Sequence, residues 1–129
     1  MSNRTEDQVR NEAGITLGFI DKKGKDIENK EYISGVGQIT TFIQLGSKIG
    51  TTAFSGIADK PDGWFLPYNK NEVAIVLETK SESENLFKKK WENLLIKDIK
   101  ILNKLYSKVI GILYNGNDVR IFKNSDEIS

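Results

Sequence analysis

A short apolar run in the middle of the chain, Val73-Ala74-Ile75-Val76-Leu77, limits most strongly what the chain can fold into. Runs of this length that are rich in β-branched residues are typical of a strand buried within a sheet. The run ends in charge, at Glu78 and Lys80, and strand residues two positions apart point to the same face. The sequence therefore predicts a buried strand whose end carries a carboxylate and an ammonium group on one face, with Thr79 on the other.

The segment that precedes this run predicts the partner strand of a β-hairpin. Asp62 follows a proline and stands shortly before a second apolar stretch, Trp64 to Leu66. The connection between the two stretches contains the turn-forming residues Pro67, Asn69 and Asn71. A hairpin of this kind would bring Asp62 beside Glu78 and Lys80, and it would place Trp64 in the core.

Two carboxylates and an ammonium group at the end of a strand suggest metal-dependent hydrolysis. Close carboxylates repel one another unless a cation lies between them or one of them is protonated. Mg²⁺ suits such a pair because it prefers hard oxygen ligands, and it activates water for attack on phosphorus. Lys80 would position that water, lower its pKa or neutralise charge on a phosphate. The simpler alternative is a surface salt bridge, since the acid-x-lysine spacing recurs elsewhere in a chain with 18 acidic residues.

The composition narrows the chemistry further. The chain has 129 residues, which is the length of one domain, and it contains neither histidine nor cysteine. Catalysis by Ser-His or Cys-His pairs, disulfides and zinc sites built from thiolates or imidazoles are therefore excluded. Any metal must be held by oxygen, which favours Mg²⁺, Mn²⁺ or Ca²⁺. The formal net charge of +1 gives no overall electrostatic case for nucleic-acid binding, so any basic patch must be local.

The order of these residues carries a resemblance to a known family. Pro61-Asp62 followed by Glu78-Thr79-Lys80 resembles the signature of the PD-(D/E)xK nucleases. The stretch from Gly56 to Gly63 and the C-terminal stretch from Ile112 to Phe122 are similar to the N-terminal endonuclease domains of type I and type IIG restriction–modification enzymes. The resemblance covers most of the chain, although few residues carry its motif.

The resemblance implies a fold and an activity. The fold would be α/β and restriction-endonuclease-like, with a central mixed β-sheet of about five strands flanked by helices. The activity would be Mg²⁺-dependent hydrolysis of DNA, with Mn²⁺ as a substitute metal. Asp62, Glu78 and the Thr79 carbonyl would bind the metal, and Lys80 would orient or activate the attacking water. Glu12 would add a third carboxylate from the first helix, unless it is an ordinary solvated acid.

The resemblance also implies partners. The partner would be DNA, while sequence recognition would reside in other domains, such as covalently linked methyltransferase, helicase and specificity domains. The chain would then be a single nuclease domain over residues 1–129, the N-terminal piece of a larger protein, and cutting both strands would favour a homodimer. Two alternatives remain: a non-catalytic module on the same fold that binds nucleic acid or a regulatory partner, and a stand-alone repair nuclease or junction resolvase. We expect a soluble, cytoplasmic protein without a membrane partner, because no apolar run approaches the ~18 residues of a membrane span.

The remaining segments yield the following expectations. A capping box at Thr5 starts the first helix, with Val9, Ala13, Leu17 and Ile20 on one face. A second helix covers Lys30–Leu45 and stops at Gly46, and Thr51–Ala58 forms the first core strand.

A long helix from Ser81 or Ser83 to Ser107 buries a stripe consisting of Phe87, Trp91, Leu95, Ile99, Leu102 and Tyr106. On this helix, Lys88, Lys89 and Lys90 are candidate phosphate contacts, and Asn93 or Lys97 would support the site. Lys108–Tyr114 is a strand, Asn115–Asp118 a hairpin turn, Val119–Lys123 an edge strand, and residues 124–129 a polar tail.

Overall fold

The computed structural model describes residues 3–128, which contain three helices and seven strands. In chain order they are α1 (Glu6–Leu17), β1 (Ile27–Glu28), β2 (Tyr32–Val36), α2 (Phe42–Ile49), β3 (Gly63–Pro67), β4 (Ala74–Thr79), α3 (Lys89–Leu102), β5 (Val109–Tyr114), β6 (Val119–Lys123) and β7 (Asp126–Ile128). All seven strands form one sheet in which neighbours follow the order of the chain. The prediction of an α/β fold with a mixed sheet is confirmed, although the sheet has seven strands rather than about five.

One parallel pair makes the sheet mixed. Strands β4 and β5 run parallel, with Glu78 opposite Leu113 and Thr79 opposite Tyr114, whereas every other neighbouring pair is antiparallel. A parallel pair needs a crossover connection, and α3 supplies it between these two strands. The crossover lies against the sheet so closely that a Cβ atom on Gly111 of β5 would come within 2.5 Å of Ile99 Cδ1 of α3.

The two faces of the sheet carry separate apolar clusters. Alternate residues of β4 divide between them, because successive strand residues point to opposite faces. Ala74 and Val76 belong to the larger cluster, which includes residues of α2 and α3, while Leu77 and Ile75 pack with Ala13 of α1. By the same alternation, Glu78 emerges on the face of α3, and Thr79 on the face of α1.

The first helix begins as the sequence predicts and ends earlier than its apolar spacing suggests. Thr5 and Gln8 form the reciprocal hydrogen bonds of a capping box. Gly18 ends the helix in the left-handed conformation, with φ +77°. Leu17 is therefore exposed, and Ile20 is buried only after the chain has left the helix.

The predicted helix over Lys30–Leu45 is wrong. Its first part is strand β2, which pairs with β3 along its whole length. Gly35 permits this pairing, since a Cβ atom there would collide with the Asp26 side chain and would lie 2.7 Å from Trp64 Cζ2. Helix α2 starts only after Thr41, whose side chain forms a second capping box with Gln44, and Gly50 rather than Gly46 caps its end.

Two further element predictions need correction. Residues 51–58 form turns and irregular structure instead of a strand, and they bury Phe54 in the larger cluster. The long helix begins at Lys89 instead of Ser81 or Ser83 and ends at Leu102 instead of Ser107, so Phe87 of the predicted stripe lies outside it and is exposed. Residues 81–88 are non-helical, and side chains of later segments donate hydrogen bonds to their carbonyl groups. Asn115 Nδ2 donates to Glu84 O at 2.7 Å, and Arg120 Nη1 donates to Leu86 O at 3.1 Å.

The C-terminal hairpin is confirmed, but its second strand is not at the edge of the sheet. Strands β5 and β6 pair on either side of the turn at residues 115–118. Strand β6 pairs in turn with β7, where Ile121 lies opposite Ile128. Residues 126–128 are thus part of the sheet and not a polar tail; Ser129 lies outside the described residues.

Candidate active site

The β3–β4 hairpin brings Asp62 to the end of β4. Gly63 of β3 lies opposite Leu77 of β4, so the residue before Gly63 reaches the last residues of its partner strand. Asp62 Oδ2 accepts hydrogen bonds from the Thr79 backbone N–H at 2.8 Å and from Thr79 Oγ1 at 3.2 Å. The predicted hairpin is confirmed, and one oxygen of Asp62 is fixed in place.

Glu78 is buried at the same end of β4 among other acidic groups. Its side chain faces α3, and the residue is only 8% exposed. The carboxyl groups of Asp98 and Asp62 lie near enough to influence the protonation of its carboxyl group. Burial raises the pKa of Glu78 well above its ordinary value, and the hydrogen bond to Asp98 and the charge of Asp62 act in the same direction. In the absence of a cation, these surroundings favour the protonated form of Glu78.

Asp98 is the residue of this group that the sequence interpretation missed. It lies on α3, is 6% exposed, and burial raises the pKa of its carboxyl while the hydrogen bond with Glu78 opposes the shift. The spacing of Asp98 in the sequence could have indicated its burial. It follows Leu95 by three positions and directly precedes Ile99, so it lies on the helix face whose apolar residues pack on the sheet. A charged residue within such a stripe is informative, since acids are seldom buried without a partner.

Lys80 is held between α1 and α3. Its Nζ lies 4.1 Å from the centre of the Trp91 ring and 3.7 Å from Glu6 Oε1. Its side chain is 14% exposed. The cation–π contact and the ion pair keep the ammonium group next to the strand end that carries Asp62 and Glu78. The acid that pairs with Lys80 is thus Glu6 of α1, and not Glu78 two residues before it.

Arg10 brings a second cation to Asp62 from α1. The residue is 4% exposed, and its Nη1 donates to Asp7 Oδ1 at 2.9 Å. Its Nη2 donates to Glu6 Oε2 at 3.4 Å. Its Nε lies 3.8 Å from Asp62 Oδ1 and has no hydrogen-bond partner among the described residues. No motif marked Arg10 in the sequence; only its place one turn after Glu6 on the buried side of the helix could have suggested it.

Glu12 contacts other residues than the Asp62–Glu78 pair. Its carboxylate accepts hydrogen bonds from Arg4 Nη1 and, at 2.9 Å, from the Tyr114 hydroxyl. Those interactions lower the pKa of Glu12, the Arg4 hydrogen bond most of all. Arg4 also donates to Glu82 at 2.5 Å and to the Gly116 carbonyl at 2.6 Å. Glu12 thus helps to join α1 to the β5–β6 turn, and its described partners are Arg4 and Tyr114 instead of Asp62 or Glu78.

A small cavity opens onto the carboxyl pair from the side of α3. Its volume is about 180 Å³, and its walls are formed by Asp59, Lys60, Glu78, Leu94, Lys97 and Asp98. Lys97 Nζ pairs with Asp59 Oδ2 at 2.8 Å at this opening. Of the two residues expected to support the site, Lys97 therefore borders it, whereas Asn93 is exposed one turn earlier on α3.

The lysine cluster at the start of α3 is largely paired with acids. Lys88 Nζ lies 3.1 Å from Glu84 Oε2, and Lys89 forms an ion pair with Glu92. Lys90 Nζ lies 4.4 Å from the centre of the Trp91 ring, the ring that also contacts Lys80. Lys90 is therefore the lysine of this cluster whose described contact is an aromatic ring instead of an acid.

The donor groups at this strand end suit a hard divalent cation. Two buried carboxyl groups that hydrogen-bond to each other must share a proton, and a divalent cation can take the place of that proton. Asp62 Oδ1 is directed at Arg10 and accepts no bond from Thr79. Within residues 3–128, no three acidic side chains are already gathered in a ligand arrangement, so binding would require the carboxyl groups to move together.

Comparisons of the chain with protein-family models, with curated proteins and with solved structures found no match. The chemistry of the strand end must therefore be judged from its own residues. Within residues 3–128, no helix is both long and apolar enough to cross a membrane.

Proposed function

We propose that the chain is a Mg²⁺-dependent endonuclease domain of the PD-(D/E)xK type that hydrolyses DNA phosphodiester bonds. The observation that carries this proposal is the buried carboxyl group of Glu78, which lies near the acids Asp98 and Asp62, while the Trp91 ring and Glu6 hold Lys80 at the same strand end. Structural ion pairs bring opposite charges together, whereas this group gathers carboxyl groups at the mouth of a cavity, where they share a proton as long as no cation is bound. A divalent cation would take the place of that proton.

Asp62 and Glu78 would hold the cation, with Asp98 and the Thr79 carbonyl as further oxygen donors. Thr79 supports the first of these ligands, because its N–H and hydroxyl fix one oxygen of Asp62 and leave the other available. When bound, the cation would supply Lewis-acid activation of water and neutralisation of phosphate charge.

Lys80 would neutralise charge on the substrate. Its ammonium group is placed by the Trp91 ring and by Glu6, which come from different helices, so its position depends little on its own flexible stem. A fixed cation at this point would donate a hydrogen bond to a non-bridging phosphate oxygen and stabilise the charge that develops during hydrolysis. Removal of Lys80 should therefore affect the rate of cleavage more than metal binding.

The order of elements is compatible with a restriction-endonuclease-like fold. An antiparallel hairpin carries the two carboxylates, and α3 then crosses to the parallel strand β5. On this proposal the substrate is DNA, and the surrounding protein would supply sequence recognition through linked methyltransferase, helicase or specificity domains. Two copies of the domain would be needed to cut both strands.

The first test is calorimetric titration of Mn²⁺ into the chain and into Asp62→Asn, Glu78→Gln and Lys80→Met. We expect binding by the unchanged chain, loss of at least tenfold in affinity in both carboxylate variants, and near-unchanged affinity in Lys80→Met. Glu72→Gln is the matched control, because Glu72 is an exposed acid in the same hairpin at the opposite end of the strands. Circular dichroism would verify that each variant is folded.

Cleavage of supercoiled plasmid in Mg²⁺, with and without EDTA, is the second test. We expect nicking by the unchanged chain and by Glu72→Gln, and loss of nicking in Lys80→Met although metal still binds. A folded chain that binds no Mn²⁺, alone or with DNA added, would contradict the proposal. Metal binding without cleavage of DNA or RNA would instead indicate a non-catalytic binding module.

A further inference from the structure

The guanidinium group of Arg10 is buried with one donor unused. Its two terminal nitrogens are held by Asp7 and Glu6, one turn or less away on the same helix. Its Nε lies 3.8 Å from Asp62 Oδ1, a distance too long for a hydrogen bond. A buried N–H group without a partner is costly, so its place beside a candidate metal ligand calls for an explanation.

The position of Asp62 does not depend on Arg10. Thr79 already holds Oδ2 of Asp62 through two hydrogen bonds. Arg10 therefore adds charge more than orientation, and it faces the remaining oxygen, Oδ1. Asp7 and Glu6 hold the guanidinium group in place, so it cannot move away with ease if a ligand comes to that oxygen.

We propose that Arg10 is the resident counter-cation of the metal site, which compensates Asp62 while the site is empty and opposes the divalent cation when it binds. This inference rests on the proposed function, since it concerns the same site, and it names a positioning residue outside the nuclease motif. The charge balance supports it: Asp62 lies among buried carboxyl groups, and among the described residues Arg10 is the cation within 4 Å of its carboxylate. Without Arg10, the metal-free site would hold Asp62 next to Asp98 and Glu78 with no adjacent positive charge on α1.

The consequence for metal affinity has a definite sign. A Mg²⁺ ion about 2.1 Å from Asp62 Oδ1 would lie within about 6 Å of Arg10 Nε. Even at the dielectric constant of water, repulsion between a single and a double positive charge at that distance corresponds to roughly a tenfold loss of affinity. Removing the charge of Arg10 should therefore tighten metal binding, whereas removing a residue with a merely structural role would weaken it.

The experiment is calorimetric titration of Mn²⁺ into the metal-free chain and into Arg10→Gln and Arg10→Lys. We expect Arg10→Gln to bind Mn²⁺ about tenfold more tightly, and Arg10→Lys, which keeps the charge, to bind within about threefold of the unchanged chain. Lys104→Gln, which removes an exposed positive charge beyond the end of α3, is the matched control for net charge. Equal or weaker binding by Arg10→Gln, while the unchanged chain does bind, would overturn the role of Arg10 and leave the metal site standing.

A double-mutant cycle in EDTA tests Arg10 independently of any metal. The equilibrium constant for urea unfolding is measured at pH 8 for the unchanged chain, Arg10→Gln, Asp62→Asn and the double variant. Arg10→Gln should raise the unfolding constant in both backgrounds. We expect the factor of this increase to be at least ten times larger in the chain with Asp62 than in the Asp62→Asn variant. If the effects of the two substitutions are additive, the role of Arg10 as counter-cation is refuted, whether or not any variant binds Mn²⁺. If the effects are coupled but no variant binds Mn²⁺, only the nuclease proposal is contradicted.

Discussion

Glu78→Gln should change how the stability of the metal-free protein depends on pH. Glutamine has nearly the shape of a protonated glutamic acid, and its amide can still donate a hydrogen bond to Asp98. The folded state raises the pKa of Glu78 above the ordinary value of 4.5, chiefly through burial. Between that value and the folded-state pKa, the folded protein holds a proton that the unfolded chain has released. The free energy of unfolding must therefore fall as the pH rises through this interval.

The size of the effect follows from one proton. Each pH unit within the interval lowers the free energy of unfolding by about 1.4 kcal/mol, so the loss from pH 5.5 to pH 8 reaches about 3 kcal/mol if the folded-state pKa lies above that range. The glutamine of Glu78→Gln cannot titrate, so the contribution of this residue to the slope should disappear. Carboxylates whose pKa values are lowered in the fold, such as Glu12 and Glu92, lose their contribution only at lower pH and leave this window undisturbed.

Urea unfolding in EDTA at half-unit steps from pH 5.5 to pH 8 would measure the slope. The unchanged chain should lose stability steadily, while Glu78→Gln should lose less and be more stable at pH 8. Burial also raises the pKa of Asp98, which remains in both proteins, so the test is the decrease of the slope in Glu78→Gln. Parallel curves would show that Glu78 is ionised in the folded metal-free state, which would refute the reasoning about the carboxyl pair.

Three further outcomes follow from the contacts. Asp98→Asn should weaken Mn²⁺ binding in calorimetry by tenfold or more, whereas Glu12→Gln should leave it within about twofold, and the reverse order would place the third acid on α1. Leu95→Ala should lower the free energy of unfolding by about 2–5 kcal/mol in urea titrations, because Leu95 is fully buried, and a loss below 1 kcal/mol would contradict close packing of α3. Gly111→Ala should cost about 1–3 kcal/mol in the same assay, since its methyl group would meet Ile99, and a neutral result would mean that α3 can shift away from β5.

The part of the site that the sequence predicts is the part that depends on local rules. A hairpin and the two-residue period of a strand are enough to place Asp62 near Thr79 and to put Glu78 and Lys80 on the face of α3. The acids and cations that complete the group come from α1 and α3, and their positions depend on how those helices dock. Arg10 could not be predicted, because nothing in the first helix alone reveals that its buried face meets the β4 end.

The errors in the fold have a similar cause. Apolar residues of Tyr32–Val36 recur at spacings that suit a helix, and only pairing with β3 decides that the segment is a strand. In the sequence, Gly35 disfavours a helix and a strand alike. In the sheet, its lack of a side chain leaves room for Asp26 and Trp64. The late start of α3 likewise depends on Asn115 of the β5–β6 turn and Arg120 of β6, which donate hydrogen bonds to the carbonyl groups of residues 84 and 86.

The alternative of an ordinary salt bridge at the end of β4 can be weighed against the contacts themselves. A salt bridge between Glu78 and Lys80 would pair opposite charges, but Lys80 pairs with Glu6, and Glu78 pairs with another acid. An apolar side chain at position 78 would avoid the cost of burying a carboxyl group next to two more. Arrangements that cost stability without a local compensation are most often found where function requires them. The fold therefore gathers buried carboxyl groups at this strand end, and a divalent cation could take the place of the proton that they share; this is the physical basis for preferring the proposed metal site to the salt bridge.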